Sequence, residues 1–353
     1  MGIVVIVIVN PVLSILLVTH NQRGLLQRCL SSVLAQELHV PFEIIISDDR
    51  STDGTKDWVF EQKALWEGKK ENLVEIKYSY CNSDDCNPST ISERCGWNKL
   101  NAYKQARGKY FVNIDADDYL RSSDIYQRQI DMLEVHSECS MCMQRVLSLN
   151  EGEPFERGKV WPKHPKLREG VVINKEDFIL LELRGLNQSY MIRRHSEDDM
   201  QTLYGKWFDD TVITYHHVQY GPVVFLDRAD YVWVQYPKSI SHDMTKDDML
   251  ITYGLLPLHH VKMIPSLQYL FLRQGLKTMI HMMKHAPEYP KLSQQYHRYL
   301  SLEKGFIYKY YTETFHNVFG LIRYKAIRGL LLLMNKHQLT SKGWLRLAKY
   351  TML

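Results

Sequence analysis

The chain has 353 residues, of which 45% are apolar and 24% charged, with a net charge of +4. That length and composition fit a folded protein with one large domain or two modest ones, and exclude a low-complexity or fibrous chain. The near-neutral balance gives no ground for a nucleic-acid partner.

The opening run at residues 3–9 is wholly apolar. It lacks a basic flank and a small-residue cleavage site, and it is too short to span a bilayer. It reads as an edge strand or as a start placed too early, with a membrane anchor the remaining alternative. With no export signal, the expected compartment is the reducing cytosol, where the six cysteines should be thiols. Cys139 and Cys142 have CxxC spacing, but no second pair at matching spacing completes a zinc site.

Strand and helix signals then alternate. Residues 12–18 form a near-continuous apolar run, as in a strand buried on both faces. Leu25, Leu26, Cys29, Leu30, Val33 and Leu34 recur at helical spacing. Residues 42–46 are a second buried strand, Asp53-Gly54 breaks the chain, and a helix carrying Trp58 follows. A strand is expected over 73–80, a helix over 91–106, a strand over 110–114 and a helix over 125–135. Repeated βαβ units imply a mostly parallel, doubly wound sheet, with ligands beyond the C-terminal strand ends. Residues 150–170 read as a loop, and 223–227 and 231–234 as two short strands. Beyond residue 247 the pattern is helical. From Lys304 onward there are nine Lys or Arg against one acid, Glu313.

Three strand exits are polar: Thr19-His20-Asn21, then Ser47 to Gly54, then Asp115-Ala116-Asp117-Asp118. There is no Walker loop and no GxGxxG turn, which argues against a nucleotide-triphosphatase or a dinucleotide oxidoreductase. Carboxylates as close as Asp115, Asp117 and Asp118 repel, so they favour a bound divalent cation or an altered proton affinity. Hard oxygen ligands suit Mg2+ or Mn2+, often shared with substrate phosphates. Capping of a helix start is the alternative. Asp48 and Asp49 should reach the same sheet edge, which favours the binding site.

From Leu13 to about Ser241 the chain resembles the family 2 glycosyltransferases of GT-A fold. The matching pieces are residues 15–21, 43–55, and Ala106-Arg107-Gly108-Lys109-Tyr110 leading into Asp115-Ala116-Asp117-Asp118. The resemblance implies an α/β, Rossmann-like, mostly parallel sheet flanked by helices. It implies a catalytic domain over 1–245, with a donor half at about 12–148 and an acceptor half at about 149–245, and a basic helical region over 246–353. It implies that Thr19, Asn21, Asp48, Asp49 and Asp115 bind a nucleotide sugar. Asp117 and Asp115 would hold the metal, with His242 a further candidate. Inverting transfer needs a base for the acceptor hydroxyl. Asp210 is the first candidate and Asp209 the second, in Phe208-Asp209-Asp210-Thr211 at a helix start. Arg50 stands where relatives frequently have Gly, and Leu100-Asn101-Ala102 where many have Asn-x-Gly.

The expected activity is metal-dependent, inverting transfer of a sugar from a nucleoside-diphosphate donor, a UDP-sugar first, to a glycan or lipid-linked hydroxyl. That points to polysaccharide synthesis in the cytoplasm. The basic tail suits peripheral contact with an anionic membrane on its cytosolic face. The alternatives are a catalytically silent nucleotide-sugar-binding subunit and a nucleotidyltransferase. The second would carry a glycine-rich basic loop after the first strand, where this chain has Thr19-His20-Asn21-Gln22-Arg23-Gly24.

Overall fold

The structure is a computed structural model that describes residues 9–88, 91–180, 183, 187–195, 205, 208 and 210–236. The opening apolar run, Asp209, His242 and the basic C-terminal region lie outside the described residues.

In chain order the elements are β1 (Leu13–Thr19), α1 (Arg23–Leu34), β2 (Phe42–Asp49), α2 (Thr55–Trp66), β3 (Leu73–Cys81), α3 (Ile91–Tyr103), β4 (Tyr110–Asp115), β5 (Tyr119–Leu120), α4 (Ile125–Val135), β6 (Met141–Asn150), β7 (Lys159–Trp161), β8 (Val172–Ile173), α5 (Lys175–Leu180), β9 (Tyr190–Arg193), α6 (Asp210–His217) and β10 (Val223–Gln235). The sheet runs β3-β2-β1-β4-β9-β6-β10-β5. The first four strands are parallel, and so are β6 and β10. β9 lies antiparallel between β4 and β6. Every residue of β1 and β2 is buried, which is why apolar residues dominate both up to their polar exits.

One face of the sheet is covered by α1 and α4. Leu26, Cys29, Leu30 and Val33 of α1 and Tyr126, Ile130 and Leu133 of α4 join Ile15, Leu17, Ile44, Val112 and Ile114 in one core. The spacing of three and four along each helix turns those residues to one side. On the other face Tyr103 of α3 packs against Phe111 of β4 with ring centroids 5.1 Å apart. Phe111 in turn meets His217 of α6 at 5.5 Å.

The sequence expectations differ from the structure in three places. The strand β6 was not anticipated, because Gln144 and Arg145 interrupt its apolar run. Both find partners: the Gln144 side-chain oxygen accepts from Asp230 N at 3.3 Å, and Arg145 Nε donates to Asp227 at 2.5 Å. The two short strands at 223–227 and 231–234 are one strand, β10, with a shift in register against β6 between Leu226 and Tyr231. The polar residues that suggested a break sit in that irregularity, where Asp227 is ion-paired to Arg145. The stretch 150–170 is a loop except for Asn150 at the end of β6, a 3-10 turn at Phe155–Arg157 and β7, which pairs with β6.

The Ala106-Arg107-Gly108 stretch locks the strand starts at the sheet edge opposite the exits. Glu43 is fully buried, and it accepts from Ser14 Oγ at 2.6 Å, Arg107 N at 2.7 Å and Arg107 Nε at 2.9 Å. A buried carboxylate needs such complete pairing. Gly108 N donates to Ser14 Oγ at 2.8 Å, and a Cβ at this position would sit 2.7 Å from Ser14 N and Tyr110 O. Gly108→Ala is therefore expected to cost about 2 kcal/mol of stability. Lys109→Ala, which loses an exposed ion pair to Glu134 and a contact with the Tyr110 ring, should cost about 0.5 kcal/mol. Thermal unfolding of the two variants beside the parent chain checks the contrast.

Candidate active site

Parallel pairing brings the three polar exits together. Thr19 lies opposite Asp48, and Val18 opposite Asp115. Side chains on a strand alternate between faces, so the adjacent Asp48 and Asp49 serve different sides of β2. Asp48 is fully buried and accepts from Ser51 N at 3.0 Å and from the Tyr78 hydroxyl at 2.9 Å. Asp49 accepts from Ser83 N at 3.0 Å, Ser83 Oγ at 2.7 Å and Arg50 Nε at 3.1 Å.

The two loops after β1 and β2 are stitched to each other. Asn21 N donates to Ser51 Oγ at 2.7 Å, and the Asn21 side-chain oxygen accepts from Thr52 N at 2.7 Å. Arg23 N donates to Asp53 at 2.9 Å. The Thr19 carbonyl accepts from Asn98 Nδ2 at 3.2 Å, and Thr19 Oγ1 is buried with no hydrogen-bond partner. Arg50, which replaces the frequent Gly, has φ of 59°. A side chain pays for that left-handed conformation, and here the guanidinium is held by Asp49, Asp84 and Ser83.

The acidic turn after β4 gives its three carboxylates different surroundings. Asp118 N donates back to Asp115 O at 3.0 Å, closing the turn. The Asp118 carboxylate is buried, accepts from the Tyr231 hydroxyl and from Val234 N at 2.9 Å, and so ties the turn to β10. Burial, then Asp117 and Asp115, push its pKa well up. Burial and then Asp115 lift the Asp117 carboxyl to about 6. Arg28 of α1 fixes the turn by donating to Asp117 O at 2.7 Å, with its guanidinium over the Tyr119 ring at 4.6 Å.

Lys99 of α3 joins the donor side to the candidate base. Its Nζ lies 2.5 Å from Asp210 Oδ1 and 3.4 Å from Asp115 Oδ1. Burial alone would depress the lysine, but Asp115 and then Asp210 outweigh it and raise its pKa. Asp115 Oδ2 accepts from Gln188 Nε2, while Asp115 Oδ1 is buried without a hydrogen-bond partner. Nearby, the Cys95 thiol is pushed up to about 12 by burial, with Lys99 opposing and Asp115, Asp210 and Asp49 adding to it. Carboxylates from β2, β4 and α6 thus act on one point.

Of the residues expected from sequence, Thr19, Asn21, Asp48, Asp49, Asp115, Asp117 and Asp210 gather at this edge. Sequence reasoning missed Lys99, Gln188 and Arg28. A lysine three residues beyond Gly96 and four before Tyr103, on the buried side of α3, was the available signal for the first. Nothing in the chain flags Gln188, whose role comes from the way β9 is inserted beside β4. The CxxC cysteines are both buried thiols. Cys139 does lie near His136 and Glu138, whose ligand atoms fall within 4.8 Å of its own.

A mostly parallel sheet that gathers polar loops and an acidic turn at one edge is the GT-A fold of the nucleotide-sugar-dependent glycosyltransferases. Residues 14–182, just under half of the chain, match the model of Glycosyl transferase family 2. Similar proteins include the Poly(ribitol-phosphate) beta-glucosyltransferase of Bacillus spizizenii, 31% identical over 111 residues, 31% of this chain and 15% of that protein. The Putative teichuronic acid biosynthesis glycosyltransferase TuaG of Bacillus subtilis is 26% identical over 148 residues, 42% of this chain and 52% of that protein. The chain therefore spans a small part of the first relative and about half of the second. Among solved structures, S. aureus TarS 1-349 in complex with UDP-GlcNAc has a similar fold, with a TM-score of 0.52 at 17% identity, covering 75% of this chain and 72% of that one.

The raised Asp117 pKa has a stability consequence. An unfolded Asp titrates near 4, so the folded state holds this proton more tightly. The stabilisation is complete below about pH 4 and is lost as pH rises through about 6. Asp117→Asn removes that loss. In metal-chelated buffer at pH 7.5 the variant should be more stable than the parent by about 1 kcal/mol, with the gap closing below pH 4. Denaturant unfolding across that pH range reads it directly.

Proposed function

We propose that this chain transfers a sugar, with inversion, from a nucleoside-diphosphate donor to a hydroxyl of a growing or lipid-linked glycan. The observation that carries this reading is the meeting of Asp115, from the end of β4, with Asp210, from the start of α6, on one buried ammonium. One carboxylate belongs to the donor turn and the other to an element that begins some hundred residues later. A site that joins a leaving group to a base needs that pairing.

The donor set fits a divalent cation. Asp117 resists its own charge, and Asp115 brings a second carboxylate to the same turn, with its Oδ1 facing Lys99 Nζ at 3.4 Å. All-oxygen ligands suit Mg2+ or Mn2+. Asp117 is the leading ligand and Asp115 the second, with His242, outside the described residues, a further candidate. When bound, the ion supplies charge neutralisation for the departing diphosphate.

The chain's own residues do the rest. The loops stitched by Asn21 and Ser51 shape the base and ribose side, with Thr19, Asp48 and Asp49 at its floor. Asp210 takes the proton from the acceptor hydroxyl, whose oxygen attacks the anomeric carbon from the side opposite the diphosphate. A positioned base of this kind contributes about 10²–10⁴ in rate. Asp209, outside the described residues, is the second candidate for the role. A UDP-sugar is the favoured donor, since the TarS structure of similar fold is a complex with UDP-GlcNAc. The two named relatives carry glycosyltransferase descriptions tied to poly(ribitol-phosphate) and teichuronic acid, which supports an acceptor in a surface polymer.

The site of action proposed is the cytosolic membrane face. No helix among the described residues is long and apolar enough to cross a membrane. The basic region from Lys304 onward would supply the contact. The full chain should co-sediment with vesicles rich in phosphatidylglycerol but not with phosphatidylcholine alone, and rising salt should release it.

Release of UDP from UDP-glucose and UDP-N-acetylglucosamine, with and without Mn2+, tests the chemistry. Turnover should depend on the ion and be abolished by chelation. Asp117→Asn and Asp210→Asn should each lower kcat at least about 100-fold. Near-normal turnover by either variant removes the role given to it.

A further inference from the structure

We infer that Lys99 is a positioning residue that holds the Asp210 carboxylate in register with the donor turn, an inference that rests on the transferase reading above. Lysine is seldom buried unless paired, and Lys99 is 6% exposed in the middle of α3. A buried ammonium loses several kcal/mol of hydration and persists only where its partners are well placed. Its partners come from two other elements, Asp115 at 3.4 Å and Asp210 at 2.5 Å, and neither belongs to α3.

The helix that carries Lys99 is itself fixed to the strand ends. Asn98 Nδ2 donates to Thr19 O at 3.2 Å, and the Asn98 side-chain oxygen accepts from Ser47 Oγ at 2.6 Å. Asn101 Nδ2 donates to Ser47 Oγ at 2.8 Å and to Ser79 Oγ at 2.9 Å. The residues on either side of Lys99 along the helix therefore bind β1, β2 and β3. The polar exits of β1 and β2 are two of the three proposed to hold the donor, and α3 is tied to both, while Lys99 itself reaches the third through Asp115. Asp210 arrives on a separate segment and shares no strand with them. Lys99 carries the position of the sheet edge to Asp210 by holding one oxygen of its carboxylate, Oδ1. A base misplaced by about 1 Å can cost about 100-fold in rate.

The test is a double-mutant cycle on the full chain, with UDP release from UDP-N-acetylglucosamine or UDP-glucose in Mn2+ as the readout. Lys99→Met should lower kcat at least 30-fold while KM for the donor moves less than threefold. Because Lys99 acts through Asp210, the double variant Lys99→Met/Asp210→Asn should be no slower than Asp210→Asn alone, within a factor of three. The inference is overturned if Lys99→Met keeps kcat within threefold of the parent. It is equally overturned if the double variant loses the full product of the two single effects, since Lys99 would then act independently of the base. Lys99→Gln takes the same place in the cycle if Lys99→Met unfolds, and loss of folding in both marks a purely structural ion pair and overturns it. A parent chain that turns over neither donor overturns the transferase reading and this inference with it. An active parent in which the cycle fails overturns the role of Lys99 alone.

Discussion

The in-register parallel pairing of β1 with β2 and β4 is the constraint on which everything else rests. Parallel strands leave the sheet at the same edge, so three polar loops far apart in sequence are delivered side by side. The lock at the other end of those strands keeps the register. Glu43, Ser14, Arg107 and Gly108 form a buried cluster that admits no side chain at Gly108 and no unpaired charge at Glu43. A one-residue slip would break that cluster and turn Asp48 and Asp49 to the wrong faces.

The gathering of carboxylates opposes folding. Asp117 pays for its place beside Asp115, and Asp118 pays for burial. The fold offsets these costs with a few well-placed donors: Lys99 between Asp115 and Asp210, Arg28 on the Asp117 carbonyl, and Tyr231 with Val234 N on Asp118. Polar groups concentrated in this way are what a charged ligand requires. A site optimised for stability alone would have replaced them with apolar packing.

The acidic motifs divide their labour in a way that the residue types alone do not disclose. Within Asp115-Ala116-Asp117-Asp118, one carboxylate faces Lys99 and Gln188, one is left at odds with its own charge, and one serves as a strut to β10. Within Asp48-Asp49, strand alternation sends the first to Tyr78 and the second to Ser83 and Arg50. Asn21, expected to meet the nucleotide, also holds the β1 loop to the β2 loop through Thr52. A side chain proposed to bind the nucleotide thus also helps to build the site.

The sequence by itself determined the first, parallel part of the sheet. Apolar runs at residues 12–18, 42–46 and 110–114, the helical spacing in α1 and α4, and the order of the polar exits were all legible, because burial on both faces and helix amphipathicity write themselves locally. It also marked Asp210 at a helix start. Tertiary structure alone decided which carboxylates meet. Lys99 becomes a bridge only when α3 is laid across the strand ends, and Gln188 reaches Asp115 only because β9 enters antiparallel beside β4. β6 and the unbroken β10 were hidden for the same reason: their polar residues meet across the pair, Arg145 with the Asp227 carboxylate and the Gln144 oxygen with Asp230 N, and no local pattern records a partner some eighty residues away.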